Sequence, residues 1–238
     1  MHVPDGFLDA PTSLATGAAA VACVGAALRG AGRELDDRTA PMAGLVAAFV
    51  FAAQMLNFPV GAGTSGHLLG GALAAALVGP WTAILCMSTV FLVQCLLFAD
   101  GGITALGTNV MLMGVTTVAV GWLVMCVLRL VLPKRVGLVP LQAGVAAMVS
   151  VPVAALLFVA LYAVGGTADI PLGRLATAMV GVHVLIGLGE AAITALAVAS
   201  IIAVRPDLVR IARPLLGARE LEIRTPAGDR DRGTGAAA

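Results

Sequence analysis

Long apolar stretches separated by short polar breaks run through most of this sequence and limit the folds open to it. Such stretches cover residues 12–29, 41–58, 67–79, 81–99, 103–132, 140–164 and 175–204. A helix needs about 20 apolar residues to cross a bilayer, and lipid cannot satisfy the polar groups of an open backbone. Because hydrophobic residues make up 60% of the chain and charged residues only 11%, we predict an all-α, polytopic membrane bundle of about seven transmembrane helices.

The third stretch, residues 67–79, is too short to cross a bilayer alone. It follows a glycine-rich run from Gly61 to Gly66. Irregular backbone is tolerated at membrane depth only where protein or a water-filled cavity surrounds it. We therefore predict a half-helix that is fed by a re-entrant loop.

Basic residues are distributed unevenly along the chain. With seven spans, every Lys and Arg except Arg174 falls on one side of the membrane, and the positive-inside rule makes that side cytoplasmic. We thus predict a multi-pass protein of the cell inner membrane with its N-terminus outside and its C-terminus in the cytoplasm. The expected regions are an extracytoplasmic segment over 1–12, a transmembrane helical domain over 12–205 and a disordered cytoplasmic tail over 206–238.

Two of the three histidines, His2 and His67, fall on the outer side in this topology. Residues 1–12 lack the basic start of a signal peptide, so we expect the chain to begin at a free Met1 amine. That amine, the deprotonated His2 amide and the His2 imidazole can bind a metal in one plane, and His67 can add a fourth nitrogen. Four planar nitrogens suit Ni²⁺ or Cu²⁺ better than Zn²⁺, and Co²⁺ is less well matched. Either histidine alone can equally be incidental.

Several motifs make the sequence similar to a known family. They are Met1–Leu8, Asn57–Val60, Gly63–Gly71, Gly79–Trp81, and Asp100–Gly107 with Asn109. Together they resemble the CbiM/NikM family, the substrate-binding S components of energy-coupling factor transporters for nickel and cobalt, over residues 1 to about 205. The resemblance implies that the ion is held by the Met1 amine, by the amide and imidazole of His2, and by His67. The first and third motifs are more similar to the nickel branch than to the cobalt branch.

The resemblance also implies partners. They are a membrane coupling (T) subunit, cytoplasmic ATPase subunits and a small accessory membrane protein, all working in a lipid bilayer and none of them a nucleic acid. The sequence contains no G-x-x-x-x-G-K-[ST] phosphate loop, so we expect a transporter subunit that is not itself an enzyme. We expect no cofactor, and Ni²⁺ or Co²⁺ captured at the outer face is the transported ligand.

Six further residues are expected to support the metal ligands from nearby: Asn109, Gln94, Ser65, Asp5, His183 and Glu190. Glu190 is the only carboxylate deep within an apolar stretch, where ionisable groups are usually paired or functional. Its expected partner is His183, seven residues earlier on the same helix, through a bridging group. The carboxylates of Asp5, Asp9 and Asp100 would fix the N-terminal segment, attract cations, or stay solvated and inert.

A different class of protein also matches part of the sequence. The run Gly63-Thr64-Ser65-Gly66 resembles a G-x-S-G nucleophile loop, and His183 would be the base of an intramembrane serine protease that uses Ser65. A channel or secondary carrier, which needs no ATPase, is a third hypothesis. The transporter hypothesis predicts that Ser65→Ala leaves metal binding mostly intact, whereas the protease hypothesis predicts loss of activity.

Overall fold

The computed structural model describes residues 1–37, 39–61 and 64–216, and helices make up most of them. The helices are α1 (Ala10–Ala31), α2 (Thr39–Gln54), α3 (Gly71–Val78), α4 (Pro80–Phe98), α5 (Leu106–Asn109), α6 (Thr116–Val131), α7 (Val139–Gly165) and α8 (Leu172–Val204). A π-helical turn over Val110–Val115 joins α5 to α6, and short 3-10 helices cover Val136–Leu138, Pro206–Leu208 and Arg210–Leu215. The predicted helical membrane class is confirmed for the described residues, apart from one short hairpin.

Each predicted apolar stretch contains a helix, but the count of seven spans is not confirmed. Five helical segments are long and apolar enough to cross a membrane: Ala10–Ala31, Pro80–Phe98, Leu106–Val131, Val136–Gly165 and Leu172–Val204. In the other two stretches α2 has 16 residues and α3 only 8. Since a helix rises about 1.5 Å per residue, α3 covers well under half of a hydrocarbon core that is about 30 Å thick.

The short helix α3 lies at the centre of the bundle. All its residues, from Gly71 to Val78, are buried, and it packs against α4, α6 and α7. Small residues allow the backbones to approach closely. A Cβ atom on Gly71 would lie 1.9 Å from Thr117 Oγ1, and one on Gly121 would lie 2.8 Å from the Ala72 Cβ. The third stretch is thus a helix enclosed by protein, which suits its length.

The described residues of the glycine-rich run before α3 take part in a short antiparallel hairpin, and whether this hairpin re-enters the membrane stays a prediction. Strand β1 (Phe58–Gly61) pairs antiparallel with β2 (Thr64–Gly66), and Phe58 lies opposite Gly66. Glycine marks turns, loops and close approaches alike, so composition alone does not distinguish them. A Cβ atom on Gly66 would lie 2.8 Å from Ile186 Cδ1 of α8. This glycine therefore allows the hairpin to pack directly on α8.

The segment before α1 is anchored to the connection between α7 and α8. Leu8 forms an isolated bridge with Gly166, and the Asp9 N–H donates to the Gly165 carbonyl over 2.7 Å. Asp9 also caps α1, because its carboxylate accepts from the Thr12 N–H over 2.9 Å. The residues before Leu8 extend from this anchor into the bundle.

The first part of the predicted disordered tail is folded. Residues 206–216 contain two 3-10 helices, and the second of them packs against α3. Three apolar side chains of this part are buried: Val209, Ile211 and Ala212. Arg213 adds a hydrogen bond to Asp36 Oδ2 over 3.2 Å. The prediction was wrong here because these apolar side chains find a surface to pack on. The rest of the predicted tail, 217–238, lies outside the described residues.

Candidate metal centre

The first residues of the chain are buried inside the helical bundle. Met1 and its α-amine are fully buried, and His2 is 6% exposed. The Val3 N–H donates to Asn109 Oδ1 over 2.7 Å, and the Val3 carbonyl accepts from Asn109 Nδ2 over 3.1 Å. The Gly102 N–H donates to the same carbonyl over 2.9 Å. Asn109, at the end of α5, therefore holds the N-terminus inside the bundle.

The structure brings His2 and His67 together. Their ring centroids are 4.7 Å apart, and the two rings are stacked with an angle of 27° between their planes. His67 comes directly after β2, so the hairpin presents it to the N-terminus. On the other side of His2, Gly101 has φ +93° and a Cβ atom there would lie 3.2 Å from His2 Cδ2. A side chain at position 101 would therefore be strained and would crowd the His2 ring.

A chain of hydrogen bonds determines which nitrogen of His2 is free. The Leu69 carbonyl can only accept, so Gln54 donates to it through Nε2 over 2.7 Å. Gln54 Oε1 is then left to accept from Gln94 Nε2 over 2.9 Å. Gln94 Oε1 in turn accepts from His2 Nε2–H over 3.1 Å. His2 therefore carries its proton on Nε2, and its Nδ1 keeps a free lone pair.

The other two histidines are fixed in a similar way. His67 Nδ1–H donates to the Leu68 carbonyl over 2.8 Å, and His183 Nδ1–H donates to the Met179 carbonyl over 2.7 Å. Three buried ring nitrogens then have no hydrogen-bond partner in the part of the chain that the structure describes: His2 Nδ1, His67 Nε2 and His183 Nε2. Because buried polar atoms are normally hydrogen bonded, these bare lone pairs are candidate donors to a bound cation.

Burial also keeps the donors of the N-terminus uncharged. It lowers the pKa of the Met1 α-amine from 8.0 to about 5, against the opposing effect of Asp100. Burial, and after it the nearby α-amine, lower the pKa of His2 from 6.5 to about 4, while Asp100 and Gln94 oppose this. At pH 7 both groups are therefore neutral bases with a lone pair available for a metal ion.

Asp100 lies closer to this site than the sequence indicated. Its Oδ1 is 3.2 Å from His2 Nδ1 without forming a hydrogen bond, and its Oδ2 has no hydrogen-bond partner among the described residues. With the proton on Nε2, a carboxylate faces a lone pair, and a cation bound between them would make that arrangement favourable. Nothing in the spacing of the sequence predicts that Asp100 lies beside His2. The turn Asp100-Gly101-Gly102 was the one feature that singled out this position.

Side chains alone do not complete a metal site here. Among the described residues, no group of three or more His, Cys, Asp or Glu side chains is arranged to hold a metal ion. A metal ion held here would therefore also need main-chain nitrogens, and the Met1 amine and the His2 amide are available at the buried N-terminus. Together with His2 Nδ1 and His67 Nε2 they make a set of four nitrogens that fits Ni²⁺ and, less closely, Co²⁺.

Two other predicted residues lie near the N-terminal segment. The Asp5 carboxylate accepts from the Thr104 N–H over 2.7 Å and from the Thr104 hydroxyl, and these bonds lower the pKa of Asp5. Asp5 therefore fixes the segment to the loop before α5. Ser65 belongs to β2, but its side chain lies outside what the structure describes.

The predicted pairing of Glu190 with His183 is wrong. The Glu190 carboxylate instead accepts from the Leu69 N–H over 2.6 Å and from the Gly70 N–H over 2.8 Å. These N–H groups directly precede the first residue of α3, and negative charge is favourable next to a helix N-terminus. Helix periodicity puts Glu190 and His183 on the same face of α8, but it cannot identify hydrogen-bond donors in a distant segment such as Leu69 and Gly70.

The fold and the site together define a helical integral membrane protein with a buried cluster of nitrogen donors at its N-terminal segment. A family model described as "cobalt uptake substrate-specific transmembrane region" matches residues 2–208. This match covers most of the chain. The chain therefore belongs to the CbiM family.

Individual relatives agree with this assignment. A protein of Haloquadratum walsbyi named as a metal transport protein is 38% identical over 209 residues, which is 88% of this chain and 93% of the relative. A protein of Archaeoglobus fulgidus named as a fused nickel transport protein is 38% identical over 211 residues, or 88% of this chain and 68% of the relative. A crystal structure of a transition metal transporter, 31% identical, superposes with a TM-score of 0.77 and covers 86% of this chain and 93% of its own.

Proposed function

We propose that this chain is the substrate-specific membrane subunit of an ATP-driven energy-coupling factor transporter and that it captures Ni²⁺ or Co²⁺ at the outer face for uptake. The observation that carries the proposal is the stack of His2 on His67, 4.7 Å apart, beside the buried amine of Met1. Membership of the CbiM family supports metal transport, because the family description names cobalt uptake and one relative is named for nickel.

The ion takes four nitrogens: the Met1 amine, the His2 amide, His2 Nδ1 and His67 Nε2. The amine, the amide and Nδ1 close fused chelate rings, and the amide gives up its proton only as the ion binds. The resulting amide charge and the Asp100 carboxylate together balance the two positive charges of the ion. Planar nitrogen ligands favour Ni²⁺ over Co²⁺.

Charge distribution and exposed surface support the rest of the proposal. The positive-inside rule places the N-terminus outside, where the ion arrives, and the C-terminus in the cytoplasm with the ATPase subunits. Most of the apolar stretch of α1 is not buried by the rest of the chain, and Ala18, Ala22 and Ala26 form an exposed row of small residues. Such a row allows close helix contact with the membrane coupling subunit. A small accessory membrane protein completes the proposed assembly.

The uptake experiment uses proteoliposomes with external ⁶³Ni²⁺ and internal ATP. We expect accumulation only when the coupling subunit, the ATPase subunits and the accessory protein are present with this chain, because it contains no phosphate loop. This chain alone is expected to bind Ni²⁺ without accumulating it. Accumulation by the chain alone would show a channel or carrier. Ser65→Ala is the matched control, since full uptake by that variant excludes a serine protease mechanism.

Proton release tests the ligand set at pH 7. Because burial leaves the Met1 amine and the His2 imidazole already neutral, Ni²⁺ binding is expected to release about one proton, from the His2 amide. As the pH falls towards about 5 the amine gains a proton, so the affinity falls more steeply below that value. Calorimetry in buffers of different ionisation enthalpy measures the proton count. A free peptide with residues 1–8 has an exposed amine and is expected to release about two protons; the same count from the protein contradicts the proposal.

A further inference from the structure

One buried hydroxyl of α8 differs from the other hydroxyls of the same helix. Those of Thr177 and Ser200 each donate to the main-chain carbonyl four residues earlier over 2.8 Å, as serine and threonine commonly do within helices. Thr194 is 1% exposed, yet its Oγ1 has no hydrogen-bond partner in the part of the chain that the structure describes. Because almost every buried polar atom has a partner, this hydroxyl needs one that the described residues do not supply.

Thr194 lines a small cavity where α2, α3 and α8 meet. Glu190, one turn earlier on α8, lines the same cavity, as do Gln54 and Leu69, and most of the other lining side chains are apolar. The centre of a water molecule has about 20 Å³ of space there. One bound water needs about 10–15 Å³ by the same measure. The cavity is therefore large enough for one water molecule and too small for an organic ligand.

Two oxygen acceptors of this cavity can each take a further hydrogen bond. Glu190 Oε2 accepts from the Leu69 N–H and Oε1 from the Gly70 N–H, but an ionised carboxylate has about four lone-pair sites. The Leu69 carbonyl accepts from Gln54 Nε2 and has a second lone pair. The cavity thus brings together one hydroxyl without a partner and two oxygens with spare accepting capacity.

We propose that this cavity is a binding site for one water molecule, which accepts from the Thr194 hydroxyl and donates to the Glu190 carboxylate and to the Leu69 carbonyl. A buried water typically makes about three hydrogen bonds, and the cavity offers these three groups. A monovalent cation such as Na⁺ suits the cavity less well, because the carboxylate already faces two N–H groups next to the N-terminus of α3, where the partial charge is positive. The water links α8 to the residues that lead into α3, and this inference does not depend on metal capture.

Thr194→Val distinguishes a hydroxyl that binds water from one that is simply unpaired. Valine has nearly the same shape as threonine but no hydroxyl. If the hydroxyl holds a water that Glu190 also holds, its loss breaks the link, and the Tm of the full chain in detergent should fall by about 2 °C or more. An unpaired buried hydroxyl is unfavourable in itself, so its removal would leave the Tm unchanged or raise it; that result overturns the proposal. Thr177→Val, at an exposed threonine of the same helix, is the matched control and should leave the Tm unchanged.

A high-resolution crystal structure of the unchanged protein gives the direct result. We expect density for one water at about 3 Å from Thr194 Oγ1 and from a Glu190 oxygen. The same density should remain in Thr194→Ser, which keeps the hydroxyl, and disappear in Thr194→Val. Lack of this density in the unchanged protein overturns the inference. Replacing Na⁺ by choline in the buffer should leave the Tm unchanged, and a fall in Tm would show that the cavity takes a cation instead of water.

Discussion

Two residues, neither of them histidine, added before Met1 are expected to abolish high-affinity Ni²⁺ binding; a single added residue would put histidine third, where a new amine, two amides and the imidazole can themselves bind Ni²⁺ in one plane. The addition converts the Met1 α-amine into an amide, which no longer has a basic lone pair, and thereby removes one of the fused chelate rings. The fully buried Met1 also leaves no space for a further residue in front of it. Loss of a residue that only hydrogen bonds to a metal ligand typically lowers metal affinity by about 10- to 100-fold. Loss of a ligand itself should therefore lower the Ni²⁺ affinity by more than about 100-fold.

Isothermal titration with Ni²⁺ measures this effect, after mass spectrometry has established the N-terminal residue of each sample. The control is the same two residues added after Ala238, which should leave the affinity unchanged. The Ni²⁺ affinity of His2→Ala should fall as far as that of the extended protein, because this variant loses Nδ1 from the same chelate. A normal Ni²⁺ titration by the extended protein would show that the α-amine is not a ligand.

The sequence was sufficient to predict the apolar helices and the two histidines that meet. The length of the apolar stretches is enough to predict the helices, because in lipid the backbone N–H and C=O groups must form their hydrogen bonds within each segment. Counting the spans between His2 and His67 puts both on the same side of the membrane. The chelating chemistry of a histidine at position two then suggests that they share a ligand. Apolar length and the chemistry of a histidine at position two are local properties, and each can be judged from a short window of residues.

The supporting contacts could not be predicted, because they join distant parts of the chain. His2 and Gln94 are 92 positions apart, and Gln94 and Gln54 are 40 apart. Gln54 was therefore missed as the residue that orients the Gln94 amide and, through it, the His2 tautomer. Helix periodicity cannot connect residues of three separate segments. In the structure, the Leu69 carbonyl can only accept, and this fixes which atom donates in each of the hydrogen bonds from Gln54 to His2.

The π-helical turn shows the same limit within a single helix. Val110–Val115 follows Asn109, which binds both main-chain polar groups of Val3. A π-turn is rare and is frequently found at functional sites, where the extra residue changes the direction of neighbouring side chains. The apolar sequence of this turn looks like any membrane helix, so nothing in it predicts the change of helix type.

Loss of the Glu190 carboxylate is expected to affect both stability and metal binding. Glu190→Ala removes the acceptor of the Leu69 and Gly70 N–H groups, at 2.6 Å and 2.8 Å. A hydrogen bond to a charged group is worth about 1.5–3 kcal/mol, so the free energy of unfolding should fall by about 3 kcal/mol or more. Neither lipid nor apolar side chains can accept the hydrogen bonds that the Leu69 and Gly70 N–H groups would then lack. Glu190→Gln keeps one acceptor oxygen, and its loss of stability should be about half as large.

Metal binding should weaken in the same variants because the residues that Glu190 holds are part of the site. Leu69 and Gly70 follow His67 closely, and the Leu69 carbonyl begins the row of hydrogen bonds that ends at His2. We expect Ni²⁺ affinity to fall about tenfold or more in Glu190→Ala. Thermal unfolding of the metal-free protein in detergent and Ni²⁺ calorimetry measure the two effects, with the exposed Thr177→Ala of the same helix as control. Unchanged thermal unfolding would contradict the structural part of this prediction, and unchanged Ni²⁺ affinity would show that the site does not depend on the position of α3.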